Sequence, residues 1–406
     1  MKILFLPYYY YIQYEPFKLV TKGLVDKGVD AKLLYVPNIS PKNETETYNP
    51  KKFLKDGVPF IPFRLTRFPV KNNIIRPFAQ IIQFFLNGIR LKRLIRKLKP
   101  DGIIIGSHLG GVYIRFIQTY CNKVGLPIIS LWVIEAIPNG NRSIPRWLPF
   151  ASMIKEIMNW KPYNRYIRDN LFIVTGNILK EHLIKLGIRK DQIIITGNPA
   201  HDQICKDLKR KDGTLQELRL DEGGRYIVFL TEVIHEVFGM TYLKNLAGKI
   251  RDTFDQLPFD IKIIIKFHPR ETAETKNIFN KQLRGRRYQY LTDVDLAHLL
   301  RDAELSIGHF SKALETSFIA GTPVLSINFS KSEEYSLYKG VNKFLECYSQ
   351  KELAEKINSF FTDESFRMKT EEVKNKWLRE NVYKLDGKST HRVIESIMMH
   401  VASRKV

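Results

Sequence analysis

Cysteine is scarce: 3 of 406 residues, at Cys121, Cys205 and Cys347, far apart in the chain. That spacing fits neither a metal-ligand pattern nor a disulfide framework, so buried, reduced thiols are expected. No apolar run approaches the roughly 20 residues that a membrane-spanning helix needs. The opening Met1-Lys2-Ile3-Leu4-Phe5-Leu6-Pro7 lacks the small-residue cleavage site of a signal peptide, which predicts a protein that stays in the cytoplasm. Without a secretion signal, the glycosylation patterns at Asn38 and Asn43 read as chance. No carboxylate cluster points to a metal, and no cofactor is expected. Acidic residues are few as well, 42 against 65 Lys and Arg, for a net charge of +23. Residues 1–100 hold 19 Lys and Arg against 6 Asp and Glu, a net +13, so over half the excess lies in the first quarter of the chain. An acidic surface is the partner that such asymmetry fits. A basic nucleic-acid-binding protein is the weakest reading of that charge, because no helix-turn-helix, zinc or RNA-recognition motif accompanies it; nucleic acid is not expected as a partner.

The length suits two domains of about 150 to 200 residues, each with its own core. Apolar runs alternate with helical spacing from the start. Lys2 to Pro7 reads as a buried strand, Pro16 to Lys27 as a helix, and Ala31 to Val36 as a second strand, the opening of a doubly wound α/β domain. Further strands are expected at Asp101–Gly106, Pro127–Val133, Phe172–Thr175, Ile193–Thr196 and, restarting the pattern in a second domain, Tyr226–Thr231. Tyr8 to Tyr11, after the first strand, could stack on a sugar or simply pack beneath a loop. Residues 41–77 are polar and punctuated by proline. From Ile75 to Lys99, Phe78, Ile81, Ile82, Phe85, Leu86 and Ile89 recur at helical spacing, while Arg90, Lys92, Arg93, Arg96, Lys97 and Lys99 load the end with charge. With Phe60, Phe63 and Phe68 nearby, the stretch reads as a basic amphipathic element for an anionic membrane surface, at about 1 kcal/mol per basic residue. An ordinary helix with a solvated basic end is the alternative.

The densest chemistry lies between Ile261 and Asn328. Ile261 to Phe267 is a strand buried on both faces that stops at His268-Pro269; Leu305-Ser306-Ile307 is a second, followed by Gly308-His309-Phe310-Ser311-Lys312; Val324 to Ile327 is a third. In an open parallel sheet ligands bind beyond the carboxyl ends of strands, and those ends carry His268, Ser311 and Lys312. A helix starting at Ser311 would aim free N–H groups and a positive dipole end at a phosphate.

Lys266-Phe267-His268-Pro269 and Gly308-His309-Phe310-Ser311-Lys312 resemble the HP and serine motifs of GT-B transferases that build bacterial surface polymers, including polysialyltransferases, capsule Kdo transferases and teichoic-acid glycerophosphotransferases. The resemblance implies that His268 and Ser311 hold the donor's phosphates. The spacing from Ser311 to Glu315, followed by Gly321-Thr322-Pro323-Val324, is similar to the wider GT-B pattern in which a glutamate holds the donor ribose. The run from Gly125-Leu126-Pro127 through Glu135 to Thr196-Gly197-Asn198-Pro199 and Asp202 is similar to the hydrolysing UDP-N-acetylglucosamine 2-epimerases, which share the fold. Two positions depart from that family: Gly106-Ser107 stands in place of a catalytic Gly-Asp, and Thr231-Glu232-Val233-Ile234 in place of a Thr-x-His-Arg turn.

The expected architecture is α/β of the GT-B type, two Rossmann-like doubly wound domains facing a central cleft. Residues 1–205 form an acceptor-side domain, 206–224 a linker, 225–385 a nucleotide-donor domain, and 386–406 a helix, with Val393, Ile394, Ile397 and Met398, that crosses back to the first domain. The expected nucleotide-binding residues are Lys266, His268, Arg270, Gly308, Ser311, Lys312, Glu315, Thr231, Gly197 and Asn198, and the proton-transfer candidates are Glu135 and His108, each at a strand end. The resemblance implies a glycosyltransferase that moves a sugar from a nucleotide sugar to a glycan or lipid-linked acceptor, with His268, Arg270 and Lys312 neutralising the leaving phosphate. The lack of a carboxylate cluster makes a metal-independent reaction the expectation, and the basic amphipathic first quarter predicts peripheral attachment to the inner face of the cytoplasmic membrane. The alternative is a 2-epimerase acting on a free nucleotide sugar.

Overall fold

The computed structural model describes residues 1–6, 10–35, 54–63, 76–106, 112–132, 171–210, 225–258, 260–309, 312–331, 336 and 343–404. His108, Glu135, Ser311, Tyr8, Phe68, residues 138–166 and residues 211–224 of the expected linker lie outside that set. The chain divides into two compact units, Met1–Asp202 with Asn381–Val406, and Gln203–Glu380.

The first unit holds a parallel sheet of β1 (Lys2–Leu6), β2 (Asp30–Tyr35), β3 (Phe60–Pro62), β4 (Gly102–Ile105), β5 (Ile128–Trp132), β6 (Leu171–Val174) and β7 (Ile193–Ile195), in the order β3-β2-β1-β4-β5-β6-β7. Its central strands are buried end to end, which is why they read in the sequence as unbroken Ile and Leu runs. The second unit holds β8 (Tyr226–Leu230), β9 (Lys262–Lys266), β10 (Tyr288–Leu291), β11 (Leu305–Gly308), β12 (Val324–Ile327) and β13 (Glu346–Cys347), in the order β10-β9-β8-β11-β12-β13, again all parallel. Two doubly wound α/β sheets bear out the expected fold class. Three strands absent from the sequence reading, β3, β10 and β13, are all sheet edges. β3 and β10 are short and half-exposed and β13 is only two residues long, so none carries an apolar run, and Pro62 sits where a missing ladder donor costs nothing. The first helix, Tyr10–Asp26, carries Pro16 inside it rather than at its start.

The helix Ser389–Ala402 belongs to the first unit. Val393, Ile394, Ile397 and Val401 are buried among β1, β4 and β5 residues, with Met398 packed alongside. Its N-terminus is held by a residue 187 positions earlier: the Asp202 carboxylate accepts from the backbone N–H of Ser389 (2.9 Å) and of Thr390 (2.7 Å), while Arg392 donates to the Thr196 carbonyl at 2.7 Å. The two bonds to Asp202 are charge-assisted caps on the first N–H groups of the helix. Asp202→Ala is therefore expected to destabilise the first unit by about 2 kcal/mol; an unchanged urea midpoint would contradict that role.

All three cysteines are free and buried. Burial alone pushes the Cys121 thiol up to about 12. Phe63 is 7% exposed and Phe60 half-buried in β3, so neither presents the open aromatic surface that the sequence reading gave it. No helix among the described residues is long and apolar enough to cross a membrane.

Candidate functional site

In the second unit the chain leaves β8 toward β9 and β10 on one side, then returns to lay β11, β12 and β13 on the other. The order reverses between β8 and β11, and a doubly wound sheet leaves its binding crevice beyond the carboxyl ends of the strands at that reversal. Thr231 follows β8, His268 follows β9 by two residues, Gly308 ends β11, and the helix Lys312–Ala320 begins four residues later. Expected residues scattered over 85 positions thus meet at one end of one sheet.

Hydrogen bonds fix the details. The Thr231 N–H donates to the Lys266 carbonyl (3.0 Å), and the His268 N–H donates to Thr231 Oγ1 (3.0 Å), so the loops after β8 and β9 are tied together. The Arg270 N–H donates to His268 Nδ1 at 3.1 Å, which makes Nδ1 an acceptor and places the ring proton on Nε2. Nε2 lies 3.6 Å from Glu232 Oε1. Burial lowers the His268 pKa below its ordinary value, against the pull of the Glu232 carboxylate, so the ring at neutral pH is an uncharged donor. Arg270 reaches Glu236 at 3.2 Å on the exposed rim.

Gly308 has a local reason to be glycine: a Cβ there would stand 2.9 Å from the Leu230 carbonyl oxygen and 3.4 Å from Leu314 Cδ2. The β11 end can approach β8 this closely only without a side chain. His309 follows, 3% exposed, its Nε2 3.5 Å from the Tyr242 hydroxyl; burial takes its pKa down to about 3. Glu315 sits half-buried in the first turn of the helix Lys312–Ala320, whose positive dipole end lies at Lys312.

Other expected residues are placed differently. The Lys266 ammonium is buried and donates to the carbonyls of Phe267 (2.9 Å) and Thr292 (2.7 Å), tying β9 to the chain beyond β10. Burial lowers its pKa, with Asp293 opposing. Gly197 and Asn198 lie in the first unit. Gly197 has φ +84°, and a Cβ on it would stand 2.6 Å from Ser389 Oγ; Asn198 Oδ1 accepts from the Ala200 N–H, capping the helix Pro199–Leu208. Among the described residues, no group of three His, Cys, Asp or Glu side chains is arranged to hold a metal ion.

The sequence reading missed the acidic side of the site. Glu232 and Glu236 flank it, and buried Glu271 lies behind, next to the Thr231 and Thr275 hydroxyls, its pKa raised by burial. The signal for Glu232 and Glu236 was the cluster Glu232-Val233-Ile234-His235-Glu236 directly after a buried strand, in the position where the loop must line the crevice.

The family model described as UDP-N-acetylglucosamine 2-epimerase matches residues 168–398. A UDP-N-acetylglucosamine 2-epimerase of Bacillus subtilis (strain 168) is 22% identical over 347 residues, covering 82% of each chain. In structure, the chain resembles the UDP-GlcNAc 2-epimerase of Neisseria meningitidis solved with UDP-GlcNAc (TM-score 0.62, 12% identity, 98% of this chain and 100% of that one). It also resembles a glycosyltransferase of Rickettsia africae (TM-score 0.55, 14% identity, 98% of both chains). Those structural likenesses establish the fold; the family model, which spans more than half the sequence and all of the second unit, places this chain in the UDP-N-acetylglucosamine 2-epimerase family.

Proposed function

We propose that the chain binds a UDP-sugar with its diphosphate over the carboxyl ends of β8 and β11 and breaks the bond between the anomeric carbon and the diphosphate. The observation that carries this is the meeting of His268, Thr231 and the N-terminal end of the helix Lys312–Ala320 at the point where the strand order reverses. The leaving diphosphate gains negative charge as the bond breaks. We assign the uptake of that charge to His268 Nε2–H, the positive dipole end of the helix Lys312–Ala320, and the Ser311 and Lys312 side chains, with Arg270 as a cation at the rim and Glu315 as the candidate ribose ligand. This assignment needs no metal.

Two outcomes of that cleavage are distinguished by what happens next. Family membership supports 2-epimerisation of UDP-N-acetylglucosamine, in which the C2 proton leaves with the diphosphate to give a C1=C2 glycal, and a proton returns to C2 on the other face as UDP or water adds at the anomeric carbon. Inversion of that kind needs proton-transfer groups on both faces. A specific observation favours the second outcome, transfer of the sugar to a glycan or lipid-linked acceptor: where the family's turn carries His-Arg, this chain has Val233 and Ile234, 4% and 1% exposed, packed inward and unable to move a proton. Ser107 likewise replaces an aspartate. Transfer requires only one base, for the acceptor hydroxyl, and Glu135 and His108 are the candidates.

Incubation with UDP-N-acetylglucosamine alone, followed by proton NMR, separates the two. Appearance of the manno epimer without an acceptor establishes epimerisation. A donor that is bound but stays intact until a glycan acceptor is added establishes transfer. Neither binding nor turnover of UDP-sugars, with or without acceptor, would overturn the proposal.

A further inference from the structure

The helix Arg76–Leu98 buries one face and leaves the other open. Ala79, Asn87, Leu91 and Ile95 are buried, the last two in the core of the first unit. On the opposite face Ile82, Phe85, Leu86 and Ile89 are 53%, 53%, 39% and 41% exposed. Their spacing, i, i+3, i+4 and i+7, makes one continuous apolar stripe rather than scattered surface residues. Along the same face toward the C-terminus the stripe gives way to exposed Arg93, Arg96 and Lys97. Lys92 and Arg96 lie over the Tyr120 ring at 5.1 and 5.8 Å, and Arg90 over Phe63 at 5.6 Å, which anchors the basic half against its neighbours. The helix contains no Asp or Glu at all.

We propose that this face lies on an anionic bilayer surface, its apolar half at the boundary of headgroups and acyl chains and its basic half against the headgroup phosphates. Charge and polarity select that occupant. In a two-fold dimer this face would meet itself, setting arginines against arginines or against the apolar stripe, and the helix offers no carboxylate to pair them in either arrangement. A nucleic acid would match the basic half and leave the apolar half in water. A lipid surface satisfies both halves at once, and this basic helix lies in the quarter of the chain that carries the net +13.

The test is sedimentation of the full chain with vesicles of phosphatidylcholine and phosphatidylglycerol, against vesicles of phosphatidylcholine alone. Binding is expected only with the anionic lipid and should fall as salt rises, because the attraction is screened over about 8 Å at physiological ionic strength. Arg93→Gln with Lys97→Gln should weaken it about tenfold or more. Ile82→Ser with Ile89→Ser should weaken it comparably at low salt, with circular dichroism unchanged. Three results would overturn the proposal: wild-type protein left in the supernatant at low salt; a wild-type dimer in ultracentrifugation that the serine variant converts to monomer; or tight binding of an RNA duplex with no vesicle binding.

Discussion

His268→Ala is expected to weaken UDP binding by about 10- to 100-fold while leaving the thermal unfolding of the chain almost unchanged. The binding loss follows from removing a donor aimed at an anion, since hydrogen bonds to charged groups contribute about 1.5 to 3 kcal/mol each. The stability should survive because the interaction that ties the two loops together runs from the His268 backbone N–H to Thr231 Oγ1 and does not involve the ring. The ring's contacts are the Arg270 N–H, on an exposed turn where water can replace it, and the Glu232 carboxylate at 3.6 Å, which faces the uncharged ring and contributes little. His268→Gln, which keeps an N–H near the Nε2 position, should retain more affinity than alanine. Calorimetric titration with UDP checks both, and equal affinity in wild type and alanine variant would remove His268 from the site.

Replacing the group that moves the proton has a larger effect on turnover, about 10² to 10⁴-fold, with UDP affinity unchanged. Glu135 and His108 are the two candidates, both outside the described residues. Glu135→Gln and His108→Asn preserve size and hydrogen bonding while removing the proton-transfer function, so a loss confined to kcat in one variant identifies the base. Loss of UDP binding in either would assign that residue to the donor site instead. Full turnover in both would eliminate the pair and turn attention to Glu232, the carboxylate nearest His268 Nε2.

Much of this architecture could be read from residue order because strands buried on both faces have to be apolar throughout. Ile261 to Phe267 and Leu305 to Ile307 could hardly be anything else, and where such runs stop, the crevice begins. His268 and Gly308 were legible for that reason. What the chain order conceals is contact across strands. Glu232 and His268 are 36 residues apart and become neighbours only because β8 pairs with β9 in the register Leu230 to Lys266. The destination of a long side chain is concealed too: Lys266 lies in the motif, yet its ammonium serves two carbonyls at the β9–β10 end of the sheet. Gly197 and Asn198 have the look of a ligand loop, but the close neighbour of Gly197 is Ser389, a residue no local pattern connects to it.

A crystal structure of the chain with UDP is the most direct test of where the diphosphate binds. Its oxygens should lie within about 3 Å of His268 Nε2 and of backbone N–H groups at the start of the helix Lys312–Ala320, beyond the ends of β8 and β11. UDP held by the first unit alone, with His268 still facing Glu232 and no ligand at the β11 end, would contradict it.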